Sequence, residues 1–132
     1  MCDLLADRDL EYLSCKGLDF EAALESNMIA LVIRGFELPR GYEPRVVDLL
    51  LRLPLQFPEA APDMFWTDPV VSYVGGGVPP ASESRETYVG RAWQRWSRHF
   101  GQSHWRPGVD DLRSYVRLIR STLEREVLPL AA

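Results

Sequence analysis

The sequence predicts an α+β chain, an antiparallel meander sheet of about four strands with one helix before it and one after it. Three observations carry this. Two branched-chain runs, Met28-Ile29-Ala30-Leu31-Val32-Ile33 and Val46-Val47-Asp48-Leu49-Leu50-Leu51-Arg52-Leu53, follow one another with turn chemistry between them. The aromatic segment Met64-Phe65-Trp66-Thr67 comes next, closed by Asp68-Pro69. The final third instead sets Val109, Leu112, Tyr115, Val116, Ile119, Leu123 and Val127 at three-four spacing, the period of one helix face.

The elements are predicted in order as follows. Asp3 to Lys16 carries Leu4, Leu5, Leu10, Tyr12 and Leu13 among acids, with Gly17 placed where a helix takes its left-handed stop. Leu18 to Leu24 pairs with the Met28 run as a hairpin through Ser26-Asn27. Leu38-Pro39-Arg40-Gly41-Tyr42 is a turn, and Arg45 to Leu53 is a strand stopped by Pro54, which lacks the N–H a ladder needs. Pro54, Pro58 and Pro62 then prescribe an extended connection around Phe57. Val70 to Pro80, with Gly75-Gly76-Gly77 and Pro79-Pro80, is a loop. From Ser84 to Phe100 the spacing of Tyr88, Trp93, Trp96 and Phe100 suggests a helical turn or two with arginines on the opposite side. Trp105-Arg106-Pro107-Gly108 breaks it before the last helix, whose Asp110 and Asp111 sit early and Arg120 and Arg125 late, as the helix dipole prefers.

Composition narrows the class. At 132 residues the chain has the length of one domain, 1–132, and folding buries roughly two-thirds of the unfolded surface. With 46% apolar and 26% charged residues it lies far from disordered or collagen-like compositions. No apolar run approaches a membrane span, and Met1-Cys2-Asp3-Leu4-Leu5 lacks the pattern of a secretory signal, so a cytoplasmic location is expected. Cys2 and Cys15 near one end make neither a disulfide framework nor a zinc site and are read as reduced thiols. Net charge is −4, with acids concentrated before residue 65 and arginines in excess after it.

The element order and several motifs resemble the ubiquitin-conjugating enzyme superfamily. Leu53-Pro54-Leu55-Gln56-Phe57-Pro58-Glu59-Ala60-Ala61-Pro62 is similar to its passage from third to fourth strand, Asp63 to Pro69 to the fourth strand and its exit, and Trp105-Arg106-Pro107 to the segment before its next helix. Leu38-Pro39-x-Gly41-Tyr42, Asp48 to Arg52, Trp93-Gln94-Arg95-Trp96-Ser97-Arg98-His99 and Trp105-Arg106-Pro107-Gly108-Val109-Asp110 are closer still to the bacterial "family E" branch, across residues 4 to 126. The resemblance implies the conjugating-enzyme fold and a place in a bacterial ubiquitin-like conjugation pathway. Its implied partners are a ubiquitin-like protein, a ubiquitin-activating-like enzyme and a metallo-isopeptidase from the same operon.

One departure redirects the chemistry. Active relatives follow a His-Pro-Asn turn with a cysteine that holds the modifier as a thioester. Here the strand exit reads Thr67-Asp68-Pro69-Val70-Val71, and Ser72 to Gly90 contains no cysteine. A hydroxyl is scarcely ionised at neutral pH without a base held against it. The expectation is therefore a non-catalytic, cysteine-less homologue that binds. An atypical nucleophile is the alternative: Ser82, Ser84 or Thr87 with His99 or His104 as base, or Cys2 or Cys15, which the resemblance puts on the activating-enzyme side.

Arg85, Arg91, Arg95, Arg98 and Arg106 are interleaved with Tyr88, Trp93, Trp96, His99, Phe100, His104 and Trp105, and three uses compete. The aromatics are core beneath solvated arginines; or Arg91, Arg95, Trp96, Arg98, Trp105 and Arg106 form a partner-docking patch; or the set binds single-stranded nucleic acid, against which the acidic balance argues. His99 and His104, five apart, are not spaced as metal ligands, and the glycine run lacks a phosphate loop's lysine. No metal or cofactor is expected.

Overall fold

The computed structural model describes residues 4–99 and 104–131. Helix α1, Asp7–Cys15, buries Asp9, Tyr12 and Leu13 and ends before Gly17 at φ +65°. Strands β1, Asp19–Glu25, and β2, Met28–Glu37, form the expected hairpin. Ser26 and Asn27 both take positive φ (52° and 61°), the turn whose twist matches its flanking strands. The short β3, Tyr42–Glu43, precedes β4, Val46–Pro54, which pairs antiparallel with β2 from Met28↔Pro54 to Glu37↔Val46. Strand β5, Phe65–Asp68, follows the proline connection, and β6, Ser72–Tyr73, pairs with β3 as a separate ribbon.

The stretch expected to turn helically after Ser84 is instead a second hairpin. Strands β7, Arg85–Tyr88, and β8, Arg91–Trp96, are joined by Val89-Gly90, both at positive φ. Paired onto β5, they extend the predicted four-stranded meander to six strands in the order β1-β2-β4-β5-β8-β7. The reason lies in the tryptophans. Three apart, Trp93 and Trp96 share a face on a helix but point to opposite faces of a strand. Each sheet face here has an apolar cluster to receive one. Trp96 stacks on Phe65 at 5.3 Å in the main core, while Trp93 joins Ala30, Val32, Leu50 and Trp66 on the other side. Phe100 lies outside the described residues.

Helix α2, Leu112–Ala131, covers the main-core face with Leu112, Tyr115, Val116, Ile119, Leu123 and Val127. It begins after Val109, which is exposed, because Asp111 accepts the Ser114 N–H and Ser114 Oγ accepts the Asp111 N–H, a reciprocal cap. The two helices meet at this end. Asp9 Oδ1 accepts the Leu112 N–H at 3.0 Å, satisfying one of the helix's orphan donors, while Asp9 Oδ2 is buried without a partner.

Burial dominates the titration of Asp9: it raises the pKa above the ordinary 3.8, and Asp111 adds to the rise against the Leu112 hydrogen bond and Arg8. A raised carboxyl favours the folded state fully below 3.8 and loses that contribution as pH climbs through the folded value. Asp9→Asn keeps the acceptor without the charge. It should be more stable than wild type at pH 7, with the difference shrinking in urea melts below pH 4. Equal gains at both pH values would refute the electrostatic cause. No helix among the described residues is long and apolar enough to cross a membrane.

Candidate functional site

The exit of β5 and the loop after it, the segment where the sequence resemblance would place a cysteine, are held by a buried polar chain. Trp96 Nε1 donates to Thr67 Oγ1 at 2.9 Å, and Thr67 Oγ1 donates to Gln94 Oε1 at 3.0 Å. The same Gln94 oxygen accepts the Val71 N–H at 2.7 Å, and Gln94 Nε2 donates to the carbonyls of Val71 and Ser82. One fully buried carboxamide thus fastens both ends of the loop, from Val71 to Ser82, to the sheet. Thr67 and Gln94 face each other in the β5–β8 register, so strand alternation turns both side chains into the core with Trp96.

A second fastening lies on the opposite face. Asp48 and Asp68 are direct register partners across β4 and β5, two like charges that repel unless a cation joins them. Arg91 does so, with contacts of 2.8 Å to Asp48 and 2.6 Å to Asp68, its guanidinium 4.3 Å from the Trp93 ring. Partial burial works against its charge, but the hydrogen bonds to Asp48 and Asp68 outweigh this and raise its pKa. Arg91→Ala should cost about 1–2 kcal/mol, a value tempered by the pair's partial exposure, and adding Asp48→Asn should restore part of it. Guanidinium melts of both variants check this, and purely additive losses would argue against the shared cation.

The other residues singled out in the sequence are placed as follows. Trp96 is fully buried, so it offers no surface to a partner. Arg95 reaches Glu86, Ser84 and Ser97, and Arg98 forks onto Glu126 with two 2.7 Å bonds while donating to the Pro80 carbonyl. Burial raises Glu86, but hydrogen bonds from Trp66, Tyr88 and Arg95 bring it below its ordinary value. Trp105 is half-buried between Phe57 and Tyr115, with Nε1 donating to the Pro58 carbonyl. Arg106 is exposed, its guanidinium unpaired among the described residues.

Ser82 is fully buried and donates its hydroxyl to the Pro79 carbonyl at 2.7 Å. Ser84 and Thr87 are exposed, the former accepting from Arg95. His99 Nδ1 lies 3.0 Å from Asp63, and His104 is exposed beside Trp105. Among the described residues no serine or threonine hydroxyl is hydrogen-bonded to either histidine. Cys15 is exposed at the end of α1, and Cys2 lies outside the described residues.

Sequence reasoning missed two things. Gln94 was read only as part of a motif, although a glutamine between two tryptophans on an aromatic strand is a signal for a buried amide. The loop also presents Val70, Val74 and Val78, each at least half exposed, and Val74 and Val78 border a groove of about 570 Å³ lined by Arg40, Gly41, Tyr73, Gly76 and Gly77. Gly41 closes this groove against α2: at φ +113°, a Cβ there would lie 3.1 Å from Val127, so only glycine lets the turn approach.

A family model described as prokaryotic E2 family E matches residues 5–126. The chain belongs to prokaryotic E2 family E. No curated protein and no solved structure matches it. For this E2 family E chain, the sequence landmarks of the resemblance are in physical contact: the Phe57-Pro58 pair receives Trp105, and Trp105 packs on Tyr115 of the following helix. The E2-like sheet therefore leads, through β5, to a loop fastened by Gln94 and Arg91 where a thiol is absent from the sequence.

Proposed function

We propose that this E2-like component of a bacterial conjugation pathway works by binding: it holds a ubiquitin-like protein, its activating-like enzyme, or both, and forms no thioester of its own. The observation that carries the reading is the complete lack of cysteine after Cys15, so nothing at the β5 exit can store an activated carbonyl on sulfur. The loop hydroxyls do not replace it. Ser82 is buried with its proton committed to a carbonyl, and Ser84 has no base against it among the described residues.

What the loop offers instead is contact surface. Exposed Val74 and Val78 beside the glycine-lined groove, with exposed Val70 on the same loop and Arg106 elsewhere on the surface, suit recognition of a protein partner. A metallo-isopeptidase of the same operon is a further partner in this reading.

The test is incubation with the activating-like enzyme, the ubiquitin-like protein and ATP, followed by non-reducing electrophoresis and a binding titration. The expected result is no covalent adduct and measurable binding to at least one of the two proteins. An adduct that survives reductant but yields to hydroxylamine would mark an oxyester, and one lost in Cys15→Ser would mark that thiol; either overturns the reading. Salt-sensitive binding to single-stranded DNA with no protein binding would also end it.

A further inference from the structure

Most of the arginines around the β5 exit are matched by the protein's own carboxylates, but one flank of α2 is not. Arg113, Arg117 and Arg120 stand four and three residues apart, which puts them on one side of the helix. The Arg113 guanidinium lies over the Tyr12 ring at 5.2 Å and that of Arg120 over the Phe36 ring at 5.1 Å. Burial raises the Tyr12 hydroxyl while the charges of Arg113, Arg120 and Arg117 draw it down against Asp111, so three cations and one carboxylate act on this side chain. Arg120 Nη2 donates to the Glu37 carbonyl, and Arg45 Nε to the neighbouring Leu38 carbonyl, so the band continues onto the end of β2.

Among the described residues, Arg113, Arg117 and Arg120 form no ion pair, and Arg45 meets a carboxylate only at 3.8 Å, from Glu37. Arg113 and Arg117 are exposed. On an acidic chain this is a concentrated positive strip, bordered by Glu37, Glu124 and an Asp111 already paired with Arg8.

We propose that the α2 flank bearing Arg113, Arg117 and Arg120, continued by Arg45, docks an acidic segment of a partner protein. Two features select carboxylates. Guanidinium forks match carboxylates two bonds at a time, and the Tyr12 and Phe36 rings hold Arg113 and Arg120 in place, so less side-chain freedom is lost on binding. Nucleic acid fits poorly. The ring faces that would stack on bases are already covered by arginine, and Glu37 and Glu124 bound the strip at its ends, leaving it too short for a track of successive phosphates. None of these four arginines lines the groove beside the β5-exit loop, so the proposal's failure leaves the preceding reading untouched.

The experiment is fluorescence anisotropy of the full chain with a labelled polyglutamate peptide of about ten residues, beside an oligothymidylate of equal charge, at low and physiological salt. Arg113→Glu with Arg117→Glu should weaken peptide binding roughly tenfold or more, and Arg85→Glu on β7 should leave it unchanged. Arg113→Gln with Arg117→Gln, which removes charge while keeping long side chains that favour the helix, should give an intermediate loss and serves if the reversal unfolds. Three outcomes overturn the proposal: peptide binding unaffected by either pair, tighter binding of the oligothymidylate through the same arginines, or sedimentation showing that the strip instead joins two copies of the chain.

Discussion

Trp96→Ala should be the most damaging single substitution in the chain, costing about 3–5 kcal/mol, a large fraction of a small domain's stability. The indole is fully buried, stacks on Phe65, meets Tyr42 edge-on at 6.0 Å and starts the hydrogen-bond chain through Thr67. Truncation removes the ring, opens a cavity at the centre of the sheet and leaves Thr67 Oγ1 without its donor. Trp96→Phe separates the contributions: most of the packing survives and the lost hydrogen bond should cost about 1 kcal/mol. Urea melts followed by far-UV circular dichroism give both numbers. A folded Trp96→Ala protein of near wild-type stability that had lost partner binding would restore the docking role expected from sequence and contradict the packing described above.

Gln94→Leu should cost about 2–4 kcal/mol although the volume hardly changes. The substitution leaves the Thr67 hydroxyl proton and the Val71 N–H and C=O without their partner in a buried site, while the Ser82 C=O keeps only its Arg85 contact. Its effect should be local as well as global. The Val71 amide, whose partner among the described residues is the Gln94 carboxamide, should exchange with solvent much faster in native-state hydrogen exchange, because that end of the loop is released from β8, while the Ala81 and Ser84 carbonyls keep the other end on Ser97 and Arg95. If the loop valines contact a partner, binding should weaken in parallel. Unchanged exchange at Val71 would mean that the loop is held by something other than this carboxamide.

Legibility differed from element to element for physical reasons. Helix α2 was plain because six apolar residues, Leu112 to Val127, kept one period over most of its length, although the pattern also drew in Val109, which lies exposed before the helix. The Ser26-Asn27 hairpin and the stop at Pro54 were plain because turn chemistry and a missing N–H act locally. The β7–β8 hairpin was not. Two tryptophans three residues apart are consistent with either period, and the choice belonged to the two apolar surfaces they fill, one beneath α2 and the other made by Ala30, Val32, Leu50 and Trp66. The arginines misled in the same way. Arg91, Arg95 and Arg98 looked like cations awaiting a partner, and their carboxylates, Asp48, Asp68, Glu86 and Glu126, lie up to 43 residues away in the chain.

By itself the sequence determined the α+β order, the E2 resemblance and the lack of a thiol beyond Cys15, since covalent chemistry and local backbone preference are properties of residues and their neighbours. Only the tertiary structure decided which polar groups are engaged: Gln94 as a fastener of the loop, Arg91 as the bridge between facing aspartates, Trp96 as core, and the α2 flank as a place where neighbouring arginines lack carboxylate partners among the described residues. Burial and charge pairing depend on distances across the fold, and those exist only once the sheet is assembled.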